Sequence, residues 1–274
     1  MDYLEQVIPD VQIAVQPFAE PVSLAEIRLQ TKQDEITTDD TLLASLLPVA
    51  RNIVEVGTGA NCLRNRVMMA TTFDCFYNCF PACDTIQLPK VPLVSVVSIT
   101  YVDNDGATQT LATSVYTVDT ANGRVFLSYQ QVWPSTRSIY RAVTVQIIAG
   151  LAASFTADAA TDTLTVKGRT FTNGDRVRLM NSGSALPRPF SAKTDYFVIG
   201  ASGSTFQLAL TSGGSAIDIT DSDISNGGIN YVGSDLTAFE TLRNAVKMAA
   251  EFLYRKPDGA MPVAVEALIN AEHA

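Results

Sequence analysis

Ile86-Gln87-Leu88-Pro89-Lys90-Val91-Pro92-Leu93-Val94-Ser95-Val96-Val97-Ser98-Ile99-Thr100-Tyr101-Val102-Asp103-Asn104-Asp105-Gly106 decides how this chain is read. Side chains alternate along a strand, so Leu93, Val97, Ile99 and Tyr101 are expected on one face and Val94, Val96 and Val102 on the other. Asn104-Asp105-Gly106 then supplies turn chemistry, because Gly and Asn tolerate positive φ. Further short strands are predicted at 115–118, 124–127 and 143–148. In the last, Val143, Val145 and Ile147 point one way, and Thr144 and Gln146 the other. Turns at this spacing predict a small antiparallel sandwich or barrel over residues 86–150, closed at one end by Trp133.

The flanks have a different period. Ser23 and Glu26 stand at capping-box spacing before a short helix over 22–32. Asp39 or Thr38 opens a second helix over 39–56, bent by Pro48 and stopped at Gly57-Thr58-Gly59. Leu42, Leu43, Leu46, Val49, Ile53 and Val56 make its expected apolar face. Thr237-Ala238-Phe239-Glu240 is a second capping-box pattern, and Phe239, Leu242, Val246, Ala249, Ala250, Leu253 and Tyr254 follow at helical spacing over 236–256. A helical core of these three segments is expected, with Leu46, Ile53, Val246 and Leu253 buried in it. The β unit is inserted between its parts.

Residues 151–233 change character again. Ser, Thr, Gly, Asp and Ala dominate, and strands are expected at 164–166, 176–179, 196–199, 206–210 and 217–219. This predicts a second, separable all-β module set before the last helix. The fold class is therefore α+β: a small helical bundle with an inserted antiparallel β-sandwich or barrel, plus a second all-β insertion. The expected divisions are an N-terminal arm (1–20), helical core (21–85), β unit (86–150), inserted module (151–233), helical core (234–256) and C-terminal tail (257–274).

The chain has 274 residues, is 47% hydrophobic and 17% charged, and carries a net charge of −9. That is a globular composition, and its acidity argues against a nucleic-acid-coating role, which needs Lys and Arg. No apolar run approaches the ~20 residues that span a bilayer, and the start lacks a basic signal-peptide region. A soluble protein made in the cytoplasm is expected.

Candidate chemistry is sparse. Cys62, Cys75, Cys79 and Cys83 lie close together, but their spacing is not that of a zinc knuckle, and Pro81 interrupts a common helical face. Buried free thiols among Phe73, Phe76, Tyr77 and Phe80 are the preferred reading, with no metal. Asp218, Asp221 and Asp223 lack the glycine and terminal glutamate of a calcium loop and read as a solvated turn. Gly57-Thr58-Gly59 follows a helix rather than a strand, which excludes a phosphate loop. The only histidine, His273, is next to the last residue, and no nucleophile elbow or metal-binding histidine pair occurs. No enzyme activity and no cofactor are expected.

The order of these segments resembles a known family. It runs from Val22-Ser23-Leu24 and Asp39-Asp40 through Ala50-Arg51-Asn52-Ile53-Val54-Glu55 and Leu88–Tyr101. It continues through Tyr116-Thr117-Val118-Asp119, Val132-Trp133-Pro134 and Val143–Gly150, and closes with Ala245–Arg255. It resembles the head–tail connector (adaptor, or head-completion) proteins of tailed bacteriophages over residues 20–150 and 234–256. The module at 151–233 departs from that pattern.

The resemblance implies a homo-oligomeric ring, usually twelve-fold, under the portal protein at the capsid vertex. Its helices pack side by side around the lumen. Such a ring extends the DNA channel, passes genomic DNA without sequence-specific contacts, and gives the tail or a tail-completion protein a docking surface. The location implied is the virion head–tail junction, after synthesis in the host bacterial cytoplasm. An acidic lumen would repel the DNA backbone. The tail at 257–274 is expected to dock on the portal through Val263, Val265, Leu268 and Ile269, since so short a helix needs a partner to order it. The alternative is a carbohydrate- or host-surface-binding virion appendage, with the activity in the 151–233 module.

Overall fold

A computed structural model describes residues 9–33, 37–56, 65–183, 185–222, 228–234, 236–256 and 262–273. The chain is an α+β protein. Its described residues fall into two compact units. The first is drawn from Met1–Gln16, Leu63–Val67 and Thr71–Gly150, and the second from Pro17–Cys62, Met68–Ala70 and Leu151–Ala274.

The first unit holds strands β1 (Asp10–Val15), β2 (Asn65–Arg66), β3 (Thr71–Tyr77), β4 (Thr85–Gln87) and β5 (Lys90–Val91). It continues with β6 (Leu93–Val102), β7 (Thr108–Thr110), β8 (Tyr116–Asp119), β9 (Arg124–Leu127) and β10 (Val143–Ala149). A five-stranded antiparallel sheet runs β1-β3-β10-β6-β7, and a three-stranded one runs β4-β9-β8. Both sheets feed one core. Phe73, Cys75, Ile99 and Val145 come from the large sheet, and Ile86 and Val125 from the small one. The sandwich thus starts earlier than residue 86. Residues 71–77, placed by the sequence within the helical core at 21–85, form the strand beside β10, with a strict buried–intermediate alternation. The expected extended arm supplies the edge strand β1.

In β6 the simple alternation fails at two places. Gln146 pairs with Ser98 but the next residue, Ile147, pairs with Val96, so Val97 is an extra residue. A second shift falls between Ile148, opposite Ser95, and Ala149, opposite Leu93. Each bulge reverses the side-chain parity. Val97 is therefore 51% exposed and Val96 packs on the core, while Leu93 and Ile99 are buried as expected. The predicted turn forms: Gly106 has φ +89, and the Asp103 carboxylate accepts from the Asp105 and Ala107 amides. In β10, Val143, Val145 and Ile147 are buried, and Thr144 and Gln146 are less so.

The second unit holds helices α1 (Leu24–Thr31), α2 (Asp40–Val56), α3 (Thr237–Arg255) and α4 (Val263–His273). Between α2 and α3 in the chain come β11 (Ala153–Asp158), β12 (Thr163–Val166), β13 (Arg176–Asn181), β14 (Tyr196–Ser202), β15 (Thr205–Ala209) and β16 (Asn230–Gly233). These strands close a barrel in the order β11-β12-β15-β14-β13-β16. The first and last strands pair, with Ala153 opposite Val232. At Gly233 an added Cβ would stand 2.5 Å from the Leu151 carbonyl oxygen, so only glycine fits where the barrel closes. Residues 217–219, expected as a strand, are not one. Ile219 is buried there and its amide donates to Asp162.

Ser23 caps α1 in a full capping box with Glu26, as its spacing predicts. Pro48 is accommodated inside α2, while Gly57-Thr58-Gly59 lies outside the described residues. Helix α3 starts at Thr237 with Leu236 as its N-cap and no side-chain cap bond, so the second predicted capping box does not form. One core joins helices and barrel. Leu43, Leu47, Ala50 and Val54 of α2 and Phe239, Leu242, Val246 and Ala249 of α3 pack in a single cluster with Met180 and Tyr231 of the barrel.

Candidate functional site

The helices are held to the barrel by buried charge as well as by apolar contact. The Arg243 guanidinium donates to the Pro21 carbonyl at 2.6 Å and to Glu26 Oε1 at 2.6 Å, and lies 5.5 Å from the Tyr231 ring centroid. Tyr231 packs edge-on against Phe239 and donates its hydroxyl to the Glu20 carbonyl at 2.9 Å. Arg51 donates to Glu20 at 2.8 Å and to Glu55 at 3.0 Å, and Glu55 accepts the Met68 amide at 2.8 Å. Burial works against the Arg51 charge, but Glu55 and Glu20 outweigh it and raise its pKa above the ordinary guanidinium value. Removing one partner of such a buried pair costs about 3–5 kcal/mol, because a charge is left uncompensated. The i,i+4 pair of Arg51 and Glu55 on an otherwise apolar helix was the available sequence signal for this latch. Arg243 offered none, because both its partners lie about 220 residues away in the chain.

Helix α2 has two apolar faces. Leu43, Leu47, Ala50 and Val54 face the core and are buried. The expected face was rotated from this one. Leu42, Val49 and Val56 are 50%, 48% and 44% exposed, and Leu46 and Ile53 are half-buried. Of the four residues expected to fill the helical core, Val246 is fully buried, Leu253 packs at the edge of the cluster, and Leu46 and Ile53 lie on the outer face.

The tail residues divide in the same manner. Val265 is fully buried in the helical cluster and Leu268 is half-buried against it. These two have a home inside the chain, contrary to the expectation that they lack one. Helix α4 packs on α3, which supplies the partner so short a helix needs. Val263 is 79% exposed, and the side chain of Ile269 lies outside what is described.

The loop between β9 and β10 is a surface that the sequence reading did not single out. Tyr129, Val132 and Tyr140 are 88%, 78% and 71% exposed. Trp133, expected as a plug, stacks on Phe80 at 5.0 Å and donates its indole N–H to the Cys83 carbonyl at 2.9 Å. A shallow, open depression of about 500 Å³ is lined by Asn78, Cys79, Arg137 and Tyr140 among others. It brings together no nucleophile and base.

Of the cysteines, Cys75 is buried, and burial pushes its thiol up to about 12. Cys79 and Cys83 are exposed, which corrects the expectation of buried thiols there, and Cys62 lies outside the described residues. No cluster of three His, Cys, Asp or Glu able to hold a metal occurs among the described residues. Asp221 is tied into the barrel rim through its carbonyl, which accepts the Arg188 amide, while Asp223 is outside the described residues. No described helix is long and apolar enough to cross a membrane.

No protein-family model matches the chain, and no curated protein matches it. Among the solved structures similar in fold are two chains. One is a chain from the neck of an empty gene transfer agent (GTA) particle computed with C6 symmetry, with a TM-score of 0.52 and 15% identity over 96% of this chain and 94% of that one. The other is a chain from the virion of a native GTA particle, with a TM-score of 0.52 and 15% identity over 95% of this chain and 93% of that one. The similarity spans nearly the whole of both chains, so it takes in the barrel at 151–233, which the sequence reading had set apart. At this identity what the chain shares with these neck and virion chains is the fold alone.

Proposed function

We propose that the chain is a structural subunit of the neck of a tailed phage-like particle, one copy in a ring between portal and tail through which DNA passes. The observation that carries this reading is the shared fold with a neck chain of a GTA particle over 96% of the sequence. The arrangement of surfaces supports it. Apolar side chains that a lone soluble chain would bury stand exposed on α2 and on the loop at 128–140, and exposed apolar groups in such numbers mark contacts with other proteins. The net charge of −9 suits a channel wall that repels the DNA backbone and lets it slide.

Within this reading the ring is the homo-oligomer, portal and tail proteins are its axial partners, and Val263 and Ile269 are the residues of the C-terminal segment that would meet the portal. The appendage reading needs a module that stands apart, and the packing of Met180 and Tyr231 in the helical core weighs against it.

Electron microscopy of the purified chain, alone and mixed with the portal ring of the same particle, tests the proposal. Closed rings, free or seated on the portal, are the expected result. A chain that remains monomeric in both preparations would exclude a neck role.

A further inference from the structure

The outer face of α2 is a continuous apolar stripe. Leu42, Leu46, Val49, Ile53 and Val56 follow one another at steps of four, three, four and three residues, so they line one side of the helix within a narrow arc. That arc lies roughly a third of a turn from the buried face of Leu43, Leu47, Ala50 and Val54. Three of the five outer residues are 44–50% exposed. The core of the chain leaves this side uncovered.

The charges of α2 explain what this face is suited to meet. The helix has three charged residues, and none lies in the stripe. Asp40 pairs with Arg28 at the helix start, and Arg51 and Glu55 are turned inward to Glu20 and to each other. The protein as a whole carries −9, so most surfaces of two copies repel on approach. The α2 stripe is a place where a second acidic copy meets no like charge. It also offers a basic partner no carboxylate to hold.

We infer that the outer stripe of α2, from Leu42 to Val56, is the surface through which one copy of this chain packs against the next. The inference rests on the ring reading above and names the contact that would close it. In a ring the contact is heterologous, so the stripe of one copy seats on a different patch of its neighbour.

The test is a double substitution, Leu46→Glu with Val49→Glu, measured against the unaltered chain by sedimentation over a wide concentration range, alone and with the portal ring. A carboxylate would be buried unpaired at every contact, so the concentration at half-assembly should rise by about tenfold or more. Leu210→Glu, an equally apolar-to-charged change at a position 65% exposed and outside the stripe, should leave assembly unchanged. Should the double variant lose its helical circular dichroism, Val49→Gln replaces it, and a rise of about threefold or more is expected. If parent and variant assemble alike, the α2 contact is wrong while the ring stands. If the parent forms rings in neither preparation, the ring reading fails and the inference with it.

Discussion

The two β regions of this protein both read as β modules in the sequence and are used differently. The sandwich of β1 to β10 encloses its own core, in which Phe73, Ile99, Val125 and Val145 cluster with other residues of the same unit. The barrel of β11 to β16 encloses a core too, but it also lends Met180 and Tyr231 to the cluster that buries α2 and α3. A Ser- and Gly-rich composition suggested a removable insert, yet the barrel wall forms part of the floor on which the helices lie. What makes a segment separable is where its apolar side chains end up, not the character of its sequence.

Excising Ala153–Gly233 and bridging the gap with a short linker tests this contrast most severely. The helices should lose their cooperative melting, because Val246, Phe239 and Leu43 would face water in place of the barrel. Far-ultraviolet circular dichroism during heating reads the result. A shortened chain that melts as sharply as the parent would make the barrel an appendage after all.

A single substitution at the join should have the next largest effect. Tyr231→Ala removes a fully buried ring, its edge contact with Phe239 and its hydrogen bond to Glu20. The expected cost is about 3–5 kcal/mol, seen as a lower denaturant midpoint in the helical signal. A loss below about 1 kcal/mol would mean that barrel and helices are coupled loosely.

The smallest change sharpens the other half of the comparison. Ile99→Val deletes one methylene from a fully buried position in the sandwich, at an expected cost of about 0.5–1.5 kcal/mol. Trp133 is the sole tryptophan and packs on Phe80 within this unit, so its fluorescence reports the change. An unchanged fluorescence midpoint would show that Ile99 does not bear on the core that Trp133 senses.

Local chemistry was legible in the sequence wherever it acts over a few residues. The capping box of Ser23 and Glu26, the turn at Asp103–Gly106, the alternation of β10 and the extents of α1, α2 and α3 all follow from neighbours close in the chain. The α+β class and the helical flanks followed from the same periodicities. Four features were not legible, and each for a reason of distance. Periodicity shows that α2 has apolar residues on more than one side, but which side is buried depends on the approach of α3 from nearly 200 residues away. Alternation cannot reveal the extra residue Val97, because a bulge is set by pairing with the partner strand.

The latch of Arg243 to Pro21 and Glu26, and the burial of Val265, likewise exist only once distant segments meet. By itself the sequence determined the helices α1, α2 and α3, strands such as β10 and the absence of any recognisable catalytic motif, since these rest on residue type and short spacing. Only the tertiary structure decided that the barrel belongs to the helical core and that Leu42, Val49 and Val56 are left outside. Burial is a property of packed surfaces, and a helix with two apolar sides leaves that choice to whatever packs against it.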